Sequence, residues 1–305
     1  DKHEVIMVTV QAAIKEYLVE CEVRRYTPKT IKGYRTALNI FQQVLTEIGV
    51  TDIEDVTMAS VKKFQQILVG KKHKGTYINS LLKASKSFIS YCFSEGIGGF
   101  NTQGRAYPWV KQDKPVIKAF SPKDVRILLG SCKGNDFLDV RDYAIITTFF
   151  ETGIRCAELY SIKPEHIHDD YILIANGKNH KQRVVPISAP LRKAMLRFDR
   201  VRENYFSYKA VDDYYFLSFH GKQLTNSAVE HILKRRGEGI DDVRVSPHTC
   251  RHTWAQAQIR MGTDLYTISR LLGHENIRIT QIYLESLRDE DIIKMSKNKS
   301  VLQNL

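Results

Sequence analysis

Apolar residues recur at intervals of three and four along most of the chain, a spacing that predicts a mainly helical protein. Residues 5–23 read as a weakly amphipathic helix. Thr27 suits an N-cap and Pro28 the first helical position, and the helix they open carries Ile31, Tyr34, Leu38, Phe41, Leu45 and Ile48 as a core stripe. A third helix starts at Thr57 and covers Val61 to Val69. A fourth, Thr76 to Phe93, would bury Ile78, Leu81, Leu82, Ile89 and Phe93.

Residues 108–120 carry two prolines among polar breaks and read as a linker. Ser121-Pro122 then opens a new helix with an acidic first turn, and Asp139 to Thr152 forms a buried helix that Gly153 ends. The pattern changes near residue 171. Tyr171–Ile174 and Val184–Ile187 are short β runs around an Asn176-Gly177 turn, and Tyr214–Leu217 is a third run expected in the same sheet. Helix resumes at Thr225–Arg236. Ser246 and Pro247 cap another helix, Leu265, Ile268, Leu271 and Leu272 stripe a further one that Gly273 would close, and a last helix carries Tyr283. The fold class is therefore mainly α with a small antiparallel sheet, in two domains.

Charge sharpens this picture. The 305 residues carry a formal net charge of +12. Between Asp55 and Glu95 no acidic residue occurs, yet Lys62, Lys63, Lys71, Lys72, Lys74, Lys83 and Lys86 do. Two polar lines stand opposite the core stripes: Lys32, Arg35, Asn39 and Gln42 on one helix, Asn79, Lys83, Lys86 and Ser90 on another. An ordinary wet helix surface mixes both signs, whereas cations and amides without carboxylates suit phosphate contact. The five cysteines are scattered and never form a C-x-x-C, which reads as reduced thiols filling cores. Neither a membrane span nor a secretory leader is visible, so a cytoplasmic location is expected. The chain begins without Met, which reads as a fragment lacking its true N-terminal part.

The chemistry concentrates between Ser246 and Ser286, where His248, Arg251, His252, His274 and Tyr283 occur on helical pattern. His248 and Arg251, three apart, should share a helix face. The run HTCRHT, then LLGH, then Tyr283 nine residues after His274, resembles the second signature box of the tyrosine recombinases, the phage-integrase family. The first box, T-G-x-R-x-x-E-L, is met upstream by Thr152-Gly153-Ile154-Arg155-Cys156-Ala157-Glu158-Leu159. Two boxes in the right order are far more specific than one short pattern, and the likeness runs over nearly the whole chain.

The resemblance implies a helical core-binding domain over residues 1–107, the linker, a mixed α/β catalytic domain over 121–288, and a tail over 289–305 exchanged between protomers. It also implies cleavage of DNA to a 3′-phosphotyrosine link, strand exchange through a Holliday junction, and religation, without metal, ATP or other cofactor. Such chemistry needs a nucleophile, cations on the non-bridging oxygens, and an acid for the leaving 5′-oxygen. Tyr283 would be the nucleophile. A lone tyrosine is more often a core ring, and the spacing from His274 reverses that preference. Arg155 and Arg251 would clamp the phosphate, with Glu158 orienting Arg155. His274 would donate to a non-bridging oxygen, and His248 would either contact the phosphate or take the tyrosine proton. Lys178, on the hairpin, is the general acid the family implies, though Lys181 and Arg183 lie close by. His252 reads as a structural hydrogen-bonding residue. A metal site at His248, Cys250 and His252 is not expected, because alternate positions do not share a helical face.

Expected partners are double-stranded DNA at specific sites, a homotetramer on that DNA, and accessory DNA-bending or directionality proteins. Lys32, Arg35, Asn39, Gln42, Lys72, Lys74, Asn79, Lys83 and Lys86 are the expected DNA contacts. Integration of a mobile element in a bacterial cell is the favoured biological reading, on the ground of the missing start. A dimer resolvase, a type IB topoisomerase-like relaxing enzyme and a DNA-binding protein with a vestigial site are the alternatives.

Overall fold

The computed structural model describes residues 8–103, 107–112, 118–175 and 182–284, and the chain divides into two compact units at Lys114/Pro115. The first unit packs four helices around one core. They are α1 (Val10–Val23), α2 (Pro28–Glu47), α3 (Met58–Gly70) and α4 (Gly75–Ser94). Local chemistry sets their starts. Thr9 and Thr27 accept hydrogen bonds from the amides three residues on, and Thr57 forms a reciprocal capping box with Ser60. Leu38, Phe41 and Leu45 of α2 meet Phe64 of α3 and Phe88 of α4 in the interior, while Ile31, Tyr34 and Ile48 pack at its rim.

Phe93 does not join that core. It is 50% exposed at the edge of the helix face whose centre, Phe88, Ile89 and Cys92, fills the interior. The start of the expected linker is also ordered structure. Tyr107 is buried, its hydroxyl 2.8 Å from Ser85 Oγ, and Asn79 both donates to the Val110 carbonyl and accepts from the Val110 amide, each at 2.9 Å. Residues 107–112 thus close the first unit like a strap.

The second unit is built on α6 (Phe137–Thr152), which is buried on nearly every side. Before it lies α5 (Pro122–Gly130). After it come α7 (Cys156–Tyr160), strands β1 (Tyr171–Ile174) and β2 (Arg183–Pro186), α8 (Ala189–Phe206), α9 (Asn226–Arg236), α10 (Pro247–Arg260), α11 (Leu265–Leu272) and α12 (Arg278–Leu284). β1 and β2 pair antiparallel with Tyr171 opposite Pro186 and Ile174 opposite Arg183. The run Tyr214–Leu217 does not extend this sheet. Tyr215 donates its amide to the Ile162 carbonyl at 2.7 Å and Leu217 bridges Gln223, so the run serves as an extended core segment.

The buried carboxylate of Asp142 on α6 fastens α9 to the core. It accepts from Arg141, from Arg235 at 2.7 Å and from Arg236 at 2.8 Å. A smaller second core joins the last three helices: Trp254, Ala255 and Ile259 of α10, Ile268 and Leu272 of α11, and the ring of Tyr283 on α12. No described helix is long and apolar enough to cross a membrane.

Candidate active site

Two left-handed glycines bring the two sequence boxes together. Gly153 (φ 62°) ends α6 and turns the chain so that Arg155 becomes the N-cap of α7. Gly273 (φ 65°) ends α11 and presents the turn carrying His274. Both places favour a residue without a Cβ: one added at Gly153 would lie 2.6 Å from the Trp254 ring, and one at Gly273 2.9 Å from the Arg183 guanidinium.

Three arginines converge on these turns. Arg251, 4% exposed, donates to the Gly153 carbonyl at 2.8 Å, the Leu272 carbonyl at 2.7 Å and His274 Nε2 at 2.9 Å. Arg155 donates to the Gly273 carbonyl at 3.0 Å and to Glu158 Oε1 at 2.9 Å. Arg183 takes both oxygens of Glu158, at 2.8 and 2.7 Å, and the Leu271 carbonyl at 2.7 Å. Burial opposes ionisation of the Glu158 carboxyl, yet the Arg183 guanidinium, with the Arg155 amide and charge, holds it down at about 2. Burial also lowers Arg251, reinforced by Arg155, to about 10, which leaves it charged at neutral pH.

His274 lies half-buried between Arg251 and Thr280. An arginine can only donate, so Nε2 accepts, and the neutral ring carries its proton on Nδ1, which donates to Thr280 Oγ1 at 2.8 Å. Burial and the neighbouring Arg251, Arg155 and Arg183 charges push His274 down to about 3. The Tyr283 ring lies nearly parallel to it, with centroids 6.3 Å apart and planes at 13°. Tyr283 is 4% exposed, and burial raises its phenol above the ordinary value despite the opposing effect of Arg251.

His248 and Arg251 do not share an environment, although both lie on α10. Arg251 points inward, whereas His248 is exposed and stands one turn from His252, ring centroids 6.4 Å apart. His252 is the one that reaches the tyrosine: its Nδ1 lies 3.3 Å from the Tyr283 hydroxyl. Cys250 between them is fully buried, so the three do not face a common point.

Six of the eight singled-out catalytic and supporting residues, Arg155, Glu158, Arg251, His252, His274 and Tyr283, thus form one cluster, with His248 at its edge. Lys178 lies outside the described residues, as does the tail 289–305. Arg183 went unassigned in the sequence. The signal was its phase: on β2 it alternates inward with the buried Val185, an unusual place for a cation without a partner.

Among the expected DNA contacts, Lys32, Arg35, Asn39, Lys72, Lys74 and Lys83 are exposed and Gln42 is half-buried. Lys86 lies over the Tyr107 and Trp109 rings at 5.5 and 5.9 Å from their centroids. Asn79 departs from the expectation, since its amide is committed to Val110 and ties the 107–112 strap to α4.

The comparison with known proteins decides the family. Residues 118–290 match the model of the phage integrase family, and residues 14–96 that of the phage integrase N-terminal SAM-like domain. The chain is 30% identical over 281 residues to the tyrosine recombinase XerC of Shewanella sp. (strain ANA-3), covering 90% of both chains. The chain belongs to the phage integrase family. It is a tyrosine recombinase, a DNA strand-transferring enzyme. The recombinase is also 28% identical over 279 residues to a XerD of Listeria monocytogenes serotype 4b, over 89% of this chain and 93% of that one. Solved structures share its fold. A lambda integrase dimer bound to a core site matches with a TM-score of 0.72 at 15% identity, covering 92% of this chain and 79% of that one. The Tn1549 transposon integrase in complex with transposon right-end DNA matches with a TM-score of 0.72 at 17% identity, covering 96% and 100%.

Proposed function

We propose that this recombinase acts at specific DNA sites through the cluster around Tyr283, in the manner of the Xer enzymes. The Tyr283 oxygen attacks a backbone phosphorus, forming a phosphotyrosine bond at the 3′ end as the bond to the 5′-oxygen breaks. Arg155 and Arg251 hold the two non-bridging oxygens, and His274 adds a donor once Arg251 turns to the phosphate and the ring proton moves from Nδ1 to Nε2, with the Thr280 hydroxyl then donating to Nδ1. His248, exposed at the edge, contacts the backbone beside that phosphate. Lys178 protonates the 5′-oxygen, a role resting on the family likeness. Attack by that 5′-hydroxyl of another strand reverses the step, so four protomers can exchange strands through a Holliday junction. The tail 289–305 would pass to a neighbouring protomer.

The observation that carries this reading is the convergence of both arginines on the turn 272–274 that also seats His274 beside the Tyr283 ring. The Xer reading is favoured over integration of a mobile element by the relatives: XerC and XerD match at 28–30% identity over about nine-tenths of each chain. The preference for an integrase rested on the missing initial Met, which says nothing about activity.

The test is a nicked suicide duplex carrying a site selected by this protein from random-sequence DNA. Wild type should give a covalent protein–DNA band on a denaturing gel and Tyr283→Phe none. A band surviving in the variant would place the nucleophile elsewhere. Deletion between directly repeated sites on one plasmid, without a second replicon, would support the Xer reading; strict dependence on two different sites would point back to integration.

A further inference from the structure

We propose that His252, the residue following the clamping Arg251, is the general base that takes the Tyr283 proton as the phenol oxygen attacks phosphorus. This rests on the reading of Tyr283 as the nucleophile.

The geometry selects His252 from three histidines. His252 Nδ1 lies 3.3 Å from the buried hydroxyl, with ring centroids 5.4 Å apart, and accepts its proton when the neutral ring carries its own on Nε2. The phenol oxygen also takes a hydrogen bond from Arg251. With Arg251 donating to the oxygen, the phenolate that forms is stabilised where it stands, and Nδ1 is within reach of the proton it sheds. His274 is nearer to parallel stacking than to bonding, and both its nitrogens are engaged, by Arg251 and Thr280. His248 stands at the surface, beyond His252. Glu158 is locked between Arg155 and Arg183.

The protonation states agree with the geometry. Burial, then His248 and Arg251, lower His252 to about 4, so at neutral pH it is unprotonated and able to accept. The groups facing it are His248 and Arg251 of α10 and Tyr283 of α12. A bound phosphate adds the negative charge this setting lacks and favours the imidazolium that forms.

The step balances. The Tyr283 O–H bond breaks and Nδ1 gains the proton, while the O–P bond forms and the P–O5′ bond breaks with its pair going to the 5′-oxygen. In religation the flow reverses, and His252 returns the proton to the departing phenol.

The experiment uses the full chain on the nicked suicide duplex and measures the rate of covalent-complex formation. His252→Asn keeps a hydrogen-bonding atom near Nδ1 but removes the base. The rate should fall by roughly 10²–10⁴-fold, the usual range for losing a general base, with affinity for the duplex unchanged. Replacing Tyr283 by a fluorinated, more acidic tyrosine should then recover much of that rate in the variant and little in wild type. A positional defect would not respond to phenol acidity. Wild-type speed in His252→Asn, or an equal deficit with both phenols, would overturn the proposal while leaving the nucleophile assigned. A covalent band from Tyr283→Phe would overturn both.

Discussion

Arg183 on β2 grips both carboxylate oxygens of Glu158 on α7 and spends its Nε on the Leu271 carbonyl of α11. One side chain thereby joins the hairpin, the turn that carries Arg155, and the turn that carries His274. Glu158 has 2% of its side chain exposed and Arg183 11%, so neither charge can fall back on water.

Removing the cation should therefore cost more than the pair itself contributes. Arg183→Ala leaves Glu158 buried with only Arg155 to balance it, and a loss of about 3–5 kcal/mol is expected, as for breaking other buried pairs. Arg183→Lys keeps charge without the two-pronged geometry and should recover only part of it. Urea unfolding reads the stability, and the covalent-complex assay should show both variants impaired. A full-strength Arg183→Ala would mean that Arg155 alone holds the carboxylate.

Gly273 meets the same guanidinium from the other side. Gly273→Ala places a Cβ in left-handed backbone, at about 1–2 kcal/mol, and 2.9 Å from Arg183 Nη1. Gly153→Ala meets the rigid Trp254 ring at 2.6 Å and should be the worse of the two, because a ring in a packed core yields less than a guanidinium. Thermal unfolding ranks them, and the reverse order would show that Arg183 is the stiffer neighbour.

Much of this was legible in the chain because capping is local. Thr27, Thr57, Ser121, Thr225 and Ser246 all cap the helices expected of them, and Gly153 and Gly273 both close theirs. The convergence of Arg155, Arg251, His274 and Tyr283 followed from the two boxes. Contacts set by distant partners were not legible. Asn79 keeps the same phase as Lys83 and Lys86, and only the return of Val110, thirty-one residues later, reveals its job. Phe93 follows Ile89 by four but falls at the edge of the stripe, half exposed. His252 looked structural because nothing local shows that α12 brings the Tyr283 hydroxyl to it.

Acid should weaken the fold before its carboxylates titrate. In the unfolded chain His252 and His274 take protons as pH falls below 6.5, whereas in the folded state they wait until about 4 and about 3. Over that window the unfolded state binds more protons, so stability is full above 6.5 and is lost as pH falls through the folded values. Glu158 adds a loss of the same sign between 4.5 and about 2. Urea midpoints should hold from pH 7.5 to about 6.5 and fall from there to 4.5, and His274→Asn should flatten that fall. A midpoint that holds constant to pH 5 would mean the two rings are protonated in the folded protein.

Asn79 and Lys83 lie one helical turn apart on α4, and the structure predicts opposite phenotypes for them. Lys83 is exposed on the acid-free face, so Lys83→Ala should remove one phosphate contact and lower the slope of log Kd against log salt by about one. Asn79→Ala strips both the amide and the carbonyl of Val110 of their partner. It should leave the salt slope alone and cost roughly 1–3 kcal/mol of stability. Titration of a labelled duplex at several salt concentrations, beside urea unfolding, separates the two. If Asn79→Ala flattened the salt slope as Lys83→Ala does, the amide would have to leave Val110 for the DNA backbone, and the 107–112 strap would be a released element rather than a fixed one.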